Sequence, residues 1–211
     1  QGRFNINNLV QDGKTSPEDL IRFQRLLKIL DLSPTLAQVV IDWIDTDTEP
    51  QAPDGAEDNT YLLQPPAYRT ANTYLSSPTE LRLLAGFDQD TYQKLLPYIC
   101  TLPTHTLINV NTAPLPILRA IVEGLNEVDA KRLITDRENK PFETTQAFLI
   151  HDALAGLKVD AKSISVASDY FFFTAQVEID KARAQLSSIL YRSPEQVIVI
   201  MRSQELPDYR N

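Results

Sequence analysis

The hydrophobic period changes from helical to alternating after Ser163, and this change constrains the fold more than any single motif. Residues 170–179 alternate apolar and polar side chains, which is the period of a strand with one apolar face. The turn pairs Asp180-Lys181 and Ser193-Pro194 come later in the same region. Together they predict an antiparallel meander whose strands span 170–179, 182–192 and 197–202.

Upstream of this change, the pattern predicts one short strand followed by helices. Residues 3–10 place Phe4, Ile6, Asn8 and Val10 at alternate positions, which predicts a strand. Two Ser-Pro pairs, at residues 16–17 and 33–34, each put an N-cap residue before a proline at the first helical position. The apolar residues after each pair recur at helical spacing. Strands are therefore expected at both ends of the chain and helices between them.

This order of elements predicts an α+β fold with a discontinuous sheet domain. We expect residues 1–13 and 164–211 to form the small antiparallel sheet domain, and residues 14–163 to form an inserted helical domain. An insertion of about 150 residues has the size of an ordinary domain. A helix preceding Arg3 could pack on the sheet. The chain begins Gln1-Gly2, and a segment upstream of it could hold a signal or an anchor.

The densest group of acidic residues lies between positions 42 and 58. Calcium binds about six to eight oxygen atoms supplied by flexible, turn-rich loops. Two acids spaced two apart can point at one centre, and Gly55 lets the loop double back. The candidate calcium ligands are therefore Asp45, Asp47, Asp54, Glu57 and Asp58. The spacing is not that of an EF-hand. The alternative is a solvated acidic loop whose aspartates cap helices, but the mutual repulsion of these carboxylates favours a cation.

Residues 108–150 have the pattern of a helix-hairpin-helix unit, a module usually associated with DNA phosphates. In the DNA-binding form, two hairpin glycines let backbone N–H groups approach a phosphate. Here Gly124 fills the first position, but Asn126 fills the second and Glu127 follows it. The net charge of −8 also disfavours nucleic-acid binding. We interpret the unit as a structural helical pair; a nucleic-acid-binding module is the alternative.

The sequence carries no recognisable catalytic motif. His105 and His151 lie in neither an HExxH motif nor a familiar triad order, and P-loop, GxGxxG and GxSxG patterns are absent. His151 fits better as a surface residue near a helix N-cap. Cys100 is the only cysteine, which excludes an intrachain disulfide and a thiolate zinc site, and its apolar neighbours predict an inert thiol. No apolar run reaches the length of a membrane-spanning helix. We therefore predict a protein that is not an enzyme.

Tyr68 and Tyr74 lie in a long proline-rich stretch after residue 60. They could form an exposed aromatic contact face. They could also fasten the stretch to the structure beneath it, which is the interpretation we favour.

Several stretches together resemble the minor pseudopilin K family of the bacterial type II secretion system. They are GRFNINNLV at 2–10, DWIDTDTEPQAPDGAED at 42–58, YLLQPPAYRTAN at 61–72, ELRLLAGF at 80–87 and INVNTAP at 108–114. The resemblance covers nearly the whole chain, and the stretches occur in the family's order. INVNTA followed by two helices is also similar to competence-type DNA-binding domains.

The resemblance implies a structural role in protein export across the outer membrane. Members of the family have a pilin-like α/β domain, a long N-terminal helix that anchors in the inner membrane, and a large helical insertion. With the minor pseudopilins I and J they form a complex that initiates or caps the pseudopilus at its tip. The expected location is the periplasm, the expected partners are I and J and also secreted substrates, and nucleic acid is not expected. A relative binds calcium, which supports the candidate ligands above.

Overall fold

The computed structural model describes residues 1–180 and 182–205, which form two compact units. Gly2–Val166 form the first, which we call the helical unit. Gln1 and the described residues from Ala167 onward form the second, which we call the sheet unit. The mixture of helices and strands confirms an α+β chain. No helix of the described part is long and apolar enough to cross a membrane.

The helical unit consists of short helices joined by loops and small two-stranded ribbons. Its α-helices are α1 (Pro17–Ile29), α2 (Leu36–Ile44), α3 (Asp58–Tyr61), α4 (Gln89–Leu95), α5 (Leu115–Ile121), α6 (Glu127–Asn139) and α7 (Thr145–Leu149). Short 3-10 helices cover Ile6–Leu9, Pro78–Leu83, Leu96–Tyr98, Asp152–Leu154 and Ala161–Ser163. Its strands are β1 (Phe4–Asn5), β2 (Val10–Gln11), β3 (Lys14–Thr15), β4 (Ile99–Cys100), β5 (Ile108–Asn109) and β6 (Ile164–Ser165).

Helices α1 and α2 form as their start signals and apolar stripes predict. Ser16 caps α1 by accepting a hydrogen bond from the Asp19 N–H at 3.4 Å. Phe23 on the buried stripe of α1 stacks on Phe4 with ring centroids 5.2 Å apart. The buried face of α2 includes Trp43. These stripes supply much of the core of the helical unit.

The first ten residues do not form the single strand that their alternation predicts. β1 pairs in parallel with β4, β2 pairs with β3, and a 3-10 helix separates β1 from β2. The asparagine side chains explain the difference, because they bind main-chain groups that a neighbouring strand would otherwise bind. Asn7 donates from Nδ2 to the Leu75 carbonyl at 3.0 Å and accepts from the Leu75 N–H at 2.9 Å. Asn5 accepts from the Leu102 N–H at 2.9 Å.

The boundary between the units lies at residues different from those expected. The strand pairing and asparagine contacts hold residues 2–13 in the helical unit, not in the sheet. Only Gln1 joins the sheet unit, where its side-chain oxygen accepts hydrogen bonds from the N–H groups of Asp169 and Tyr170. The helical unit continues to Val166 because β5 and β6 pair in parallel. Both ends of the described chain thus contribute to the sheet unit, but the first end contributes a single residue.

The sheet unit is the antiparallel meander that the period-two pattern predicts. Its strands are β7 (Tyr170–Ile179), β8 (Ala182–Arg192) and β9 (Val197–Glu205), in the order β7-β8-β9. The predicted turn at Asp180-Lys181 cannot be described in full, because Lys181 lies outside the described residues. Phe171 pairs with Leu190 and Phe172 pairs with Ile189. Directly opposed residues share a face of the sheet, so both faces of the meander carry apolar side chains.

Cys100 lies in β4, and its thiol has low reactivity. Its sulfur lies 4.0 Å from the Arg3 carbonyl oxygen. Burial raises the pKa of its thiol to about 11, so the thiol is protonated at neutral pH and a poor nucleophile. This confirms the inert thiol that the sequence predicts.

Candidate metal centre

Three of the five candidate ligands come together in the loop between α2 and α3. Asp45 follows the last residue of α2, Asp47 lies two residues further on, and Glu57 precedes α3. Each offers one carboxylate oxygen, and these three oxygens all lie within 4.8 Å of one another. The end of one helix and the start of another thus hold two of the carboxylates, and the loop holds the third.

Two of these carboxylates are buried with an oxygen that has no hydrogen-bond donor. Asp45 is 4% exposed and Glu57 is 1% exposed. Among the described residues, nothing donates a hydrogen bond to Asp45 Oδ1 or to Glu57 Oε1. The other oxygen of Glu57 accepts from the Thr70 hydroxyl at 3.0 Å. A buried acceptor without a donor costs about 1–3 kcal/mol, and a cation would satisfy both oxygens.

The pKa values of these groups show the same electrostatic strain. The pKa of Asp45 is raised to about 6, chiefly by burial and also by the neighbouring charges of Asp47 and Glu57, against one backbone hydrogen bond. Burial also raises the pKa of Glu57 above its ordinary value, although the Thr70 hydroxyl opposes the rise. Close negative charges in a desolvated site disfavour ionisation. A divalent cation bound among them would reverse that effect.

Asp42, which lies in α2 three residues before Asp45, holds the loop through a main-chain contact. It is fully buried, and its two carboxylate oxygens accept from the Gln51 N–H at 3.1 and 3.2 Å. Burial raises its pKa to about 7, against the lowering effect of hydrogen bonds from the Gln51 and Ala56 backbone. Gly55 permits this close approach, because a Cβ there would lie 2.2 Å from Asp42 Oδ2. The sequence pattern places Gly55 correctly as the point where the loop doubles back.

The other two candidate ligands, Asp54 and Asp58, lie outside the group of three. Asp54 is exposed, and its backbone N–H donates to Gln38 Oε1 at 3.1 Å. The Asp58 carboxylate pairs with Arg69 and accepts from the Thr70 N–H at 3.1 Å. Partial burial by itself raises the pKa of Asp58, but the Thr70 hydrogen bonds and the Arg69 charge outweigh it and the pKa is lowered. Asp58 therefore already has hydrogen-bond donors and a cationic partner, whereas no described residue donates to Asp45 Oδ1 or Glu57 Oε1.

Asn72 offers a further candidate oxygen ligand, which the sequence pattern does not identify. Its Nδ2 donates to the Asp47 carbonyl at 3.1 Å. Its Oδ1 is buried and has no hydrogen-bond partner among the described residues. Asn72 lies 25 residues from Asp47, so local spacing could not have identified it. It is the last residue of the stretch 61–72 that carries part of the family resemblance.

The two tyrosines of the proline-rich stretch and the two histidines all contact other groups of the helical unit. Tyr68 donates to the Leu83 carbonyl at 2.6 Å and Tyr74 to the Val10 carbonyl at 3.0 Å, which confirms that they fasten the proline-rich stretch. His151 Nδ1 accepts from the Ala153 N–H at 3.1 Å, so this residue is itself the N-cap of the 3-10 helix Asp152–Leu154. His105 Nε2 lies 3.6 Å from an Asp19 oxygen.

In the hairpin at residues 122–126, the side chain of Asn126 caps helix α6. Gly124 has a φ of +81°, and Asn126 Oδ1 accepts from the Asp129 N–H at 2.9 Å. The nearby Lys131 pairs with Glu127 at 2.6 Å. The first turn of α6 therefore has a side-chain cap and an ion pair where a phosphate-binding hairpin would present free donors.

Comparison with known proteins places the chain in one family. Two family models, both described as "Type II secretion system (T2SS), protein K", match residues 2–104 and 108–167. The type II secretion system protein K of Pseudomonas aeruginosa is 37% identical over 204 residues, which cover 95% of this chain and 61% of that protein. The protein of the same name from Klebsiella pneumoniae is 36% identical over 217 residues, covering 96% of this chain and 66% of that protein.

A solved structure shares the architecture. A chain in the crystal structure of the GspK-GspI-GspJ complex from the type 2 secretion system of enterotoxigenic Escherichia coli superposes with a TM-score of 0.84 and 28% sequence identity. The match covers 97% of this chain and 76% of that chain. This chain spans 61% and 66% of the two curated relatives described above. On these matches, the chain belongs to the protein K family of the type II secretion system.

Proposed function

We propose that this chain is a non-enzymatic structural subunit at the tip of the type II secretion pseudopilus, where it assembles with the minor pseudopilins I and J. The observation that carries the proposal is the likeness to a chain of the GspK-GspI-GspJ complex over 97% of this chain. Membership of the protein K family supports it. The role is to initiate or cap the pseudopilus during protein export across the outer membrane.

The sheet unit is the part that we assign to a pilin-like domain. Phe171, Phe173 and Val177 lie at alternate positions of β7, and all three are exposed. An exposed apolar face of this length suits a packed helix. We propose that a helix preceding Gln1 covers it and anchors the protein in the inner membrane, with the described residues in the periplasm.

Reconstitution of the complex tests the tip assignment. The soluble domains of this chain and of the I and J pseudopilins from the same organism are mixed in equal amounts and separated by size exclusion. We expect one peak that contains all three proteins. A mixture of I and J alone is the control for the mass that this chain adds. Elution of this chain by itself, with neither partner, would refute the assignment.

We also propose that the group formed by Asp45, Asp47 and Glu57 binds a calcium ion, with Asn72 Oδ1 as a further ligand. The support is a set of three buried oxygens, one each on Asp45, Glu57 and Asn72, to which no described residue donates a hydrogen bond. Carboxylate and amide oxygens are the ligand types that calcium prefers. The ion would neutralise the clustered carboxylates and fix the loop between α2 and α3. Asp54 and Asp58 remain candidates from the sequence, and they provide the comparison.

Calorimetry on matched variants tests the calcium site. Because Asp45 and Glu57 supply otherwise unpaired oxygens, Asp45→Asn and Glu57→Gln should each weaken calcium affinity by at least about tenfold, or about 1.4 kcal/mol. Asp54→Asn removes one negative charge from an exposed position and should change the affinity by less than about twofold.

The melting temperature gives a second readout. Calcium at about 100 times its Kd should stabilise the protein by about 2.7 kcal/mol, and at the same calcium concentration the two ligand variants should lose at least about half of that gain. Unchanged calcium affinity in both Asp45→Ala and Asp47→Ala would move the site elsewhere.

A further inference from the structure

A groove of about 360 Å³ lies on the helical unit, apart from the acidic loop. One wall contains Tyr61 and Tyr68, and the other runs from Arg82 to Asp88. The residues that line it do not include the three gathered carboxylates. The two walls come from the stretches 61–72 and 80–87. The volume is at the lower end for a ligand site.

The walls of the groove are fixed by hydrogen bonds between them. The Tyr68 hydroxyl donates to the Leu83 carbonyl at 2.6 Å, and the Ala85 N–H donates to the Tyr61 hydroxyl oxygen at 3.3 Å. The two tyrosine rings stack with centroids 5.3 Å apart, and Trp43 packs edge-on against Tyr61. A groove held in this way exists before a ligand arrives, which lowers the entropy cost of binding.

Two residues of the groove lining present apolar surface to the solvent. Leu83 is 48% exposed, and the ring of Tyr68 is half-buried. An exposed leucine beside an aromatic ring is the kind of surface that can bind an apolar side chain of another protein. The side chain that fits such a groove is bulky and apolar.

The polar groups of the groove define the charge of the partner. Arg82 is exposed and has no carboxylate partner among the described residues; its guanidinium lies 5.9 Å from the centroid of the Tyr92 ring. The one acid of the lining, Asp88, is occupied as a helix cap, since it accepts from the Thr91 N–H at 2.8 Å. A guanidinium that has no carboxylate partner among the described residues complements a carboxylate of a ligand.

We propose that this groove docks an extended peptide segment of a partner protein in which a bulky apolar side chain adjoins an aspartate or glutamate. The apolar side chain packs against Tyr68 and Leu83, and the carboxylate binds Arg82. The Gln64 side-chain amide also lines the groove and is placed to bind the backbone of such a segment. This docking site is additional to tip assembly and calcium binding, and it requires neither.

A peptide array tests the proposal on the whole chain. The probes are immobilised peptides in which two central positions run through every pair of amino acids between Gly-Ser flanks. The intact protein should be retained most by pairs of Asp or Glu with Phe, Leu, Tyr or Trp. The best pair, labelled with fluorescein, then gives a Kd by anisotropy. Retention by no pair above the Gly-Gly background would overturn the proposal.

Two charge-reversal variants separate docking from general electrostatics. Arg82→Glu should weaken the Kd for the acidic peptide by at least about fivefold, as expected for loss of a partly exposed ion pair. Lys140→Glu changes the net charge equally at an exposed position away from the groove, and should leave the Kd within about twofold. Retention of the same pairs by Arg82→Glu would refute the assignment.

The experiment also distinguishes a second copy of this chain as the occupant. Sedimentation velocity at increasing concentration should show a monomer for both the natural chain and Arg82→Glu. Self-association that disappears in Arg82→Glu would assign the groove to a second copy and would overturn the peptide proposal.

Discussion

Asn5, Asn7 and Asn8 act as side-chain substitutes for a strand partner. Asn8 Nδ2 donates to the Thr106 carbonyl at 2.8 Å, and its Oδ1 accepts from the Thr106 N–H at 3.1 Å. Asn7 makes the same pair of contacts with the main chain of Leu75. Buried main-chain groups must be bonded, so these three amides tie three distant segments together.

Replacement of Asn7 should therefore be costly. Asn7→Leu leaves the N–H and the carbonyl of Leu75 without these partners in a buried site, and each loss costs about 1–3 kcal/mol. We expect the free energy of unfolding to fall by about 2–4 kcal/mol, measured by urea denaturation at equilibrium. Asn59→Leu, at an exposed position, should change it by no more than about 0.5 kcal/mol. Equal effects of the two substitutions would contradict this role for Asn7.

The buried acids predict an unusual dependence of stability on pH. The ordinary pKa of Asp42 and Asp45 is 3.8, but in the folded state the values are about 7 and about 6. Between the ordinary and the folded values the folded state binds more protons than the unfolded state, so the free energy of unfolding falls as pH rises.

Without calcium, the melting temperature at about pH 8 should be at least about 3 °C below that at about pH 5, which corresponds to about 1 kcal/mol for a chain of this size. The measurement is thermal denaturation followed by circular dichroism in excess chelator. The variant Asp42→Asn/Asp45→Asn is the control, and its pH dependence should be flatter. A chelated protein that becomes more stable between these two pH values would show that the folded pKa values are not raised.

For individual residues, the sequence predicts which acids lie in the loop better than it predicts which groups each of them contacts. The spacing of the acids and the turn at Gly55 identify Asp45, Asp47 and Glu57, but the same pattern also selects Asp54 and Asp58. It does not reveal that Asp58 is neutralised by Arg69, or that Asn72 returns to Asp47. Those contacts depend on how a proline-rich stretch folds back, which no periodicity encodes.

Among the secondary-structure elements, the helical hairpin depends on the side chain that caps helix α6. Asn126 accepts from the Asp129 N–H at the start of α6. Asn126→Ala removes that bond and should cost about 1 kcal/mol, whereas Asn126→Gly should cost only a few tenths. Urea denaturation distinguishes the two.

The glycine variant also tests the nucleic-acid alternative, because it restores the second hairpin glycine. Fluorescence polarisation with a labelled DNA duplex at low salt should show no binding by either variant or by the natural chain, since the acidic charge balance is unchanged. Binding gained by Asn126→Gly would show that the hairpin retains the geometry of a phosphate site.

For the secondary-structure elements, hydrophobic periodicity alone predicts the meander but does not predict the structure of residues 3–10. The meander β7-β8-β9 follows its alternating pattern closely, because each strand pairs with the next one in the chain. The segment at residues 3–10 also alternates, but its asparagines compete for the hydrogen bonds of a ladder. Polar residues that bind main-chain groups thus outweigh an apolar alternation of only four positions.

At the scale of the whole molecule, the helical unit holds the main hydrophobic core. The buried residues of its principal cluster run from Phe4 to Ile164. The sequence predicts two domains, but it places the boundaries at 13 and 164, because no local signal shows that residues 2–13 pair with residues near position 100.

We therefore expect the fragment Gly2–Val166 to fold without the sheet unit. Its melting temperature should lie within about 3 °C of that of the whole chain, equivalent to about 1 kcal/mol. It should bind calcium with an affinity unchanged within about twofold, since all candidate ligands lie inside it. Circular dichroism and calorimetry provide the measurements, and the fragment carrying Asp45→Asn is the control for specific binding. A fragment without a cooperative transition would contradict this independence.

The position of Cys100 makes the chain suitable for site-directed labelling. Its thiol is the only one in the sequence and has a pKa of about 11. Exposed cysteines introduced elsewhere have ordinary pKa values and should react with maleimide reagents far faster at neutral pH. Fluorophore or spin-label pairs can therefore be placed on the natural background, one on each unit. The distance between the labels, measured with and without the proposed partners, would then show whether the separation of the two units changes.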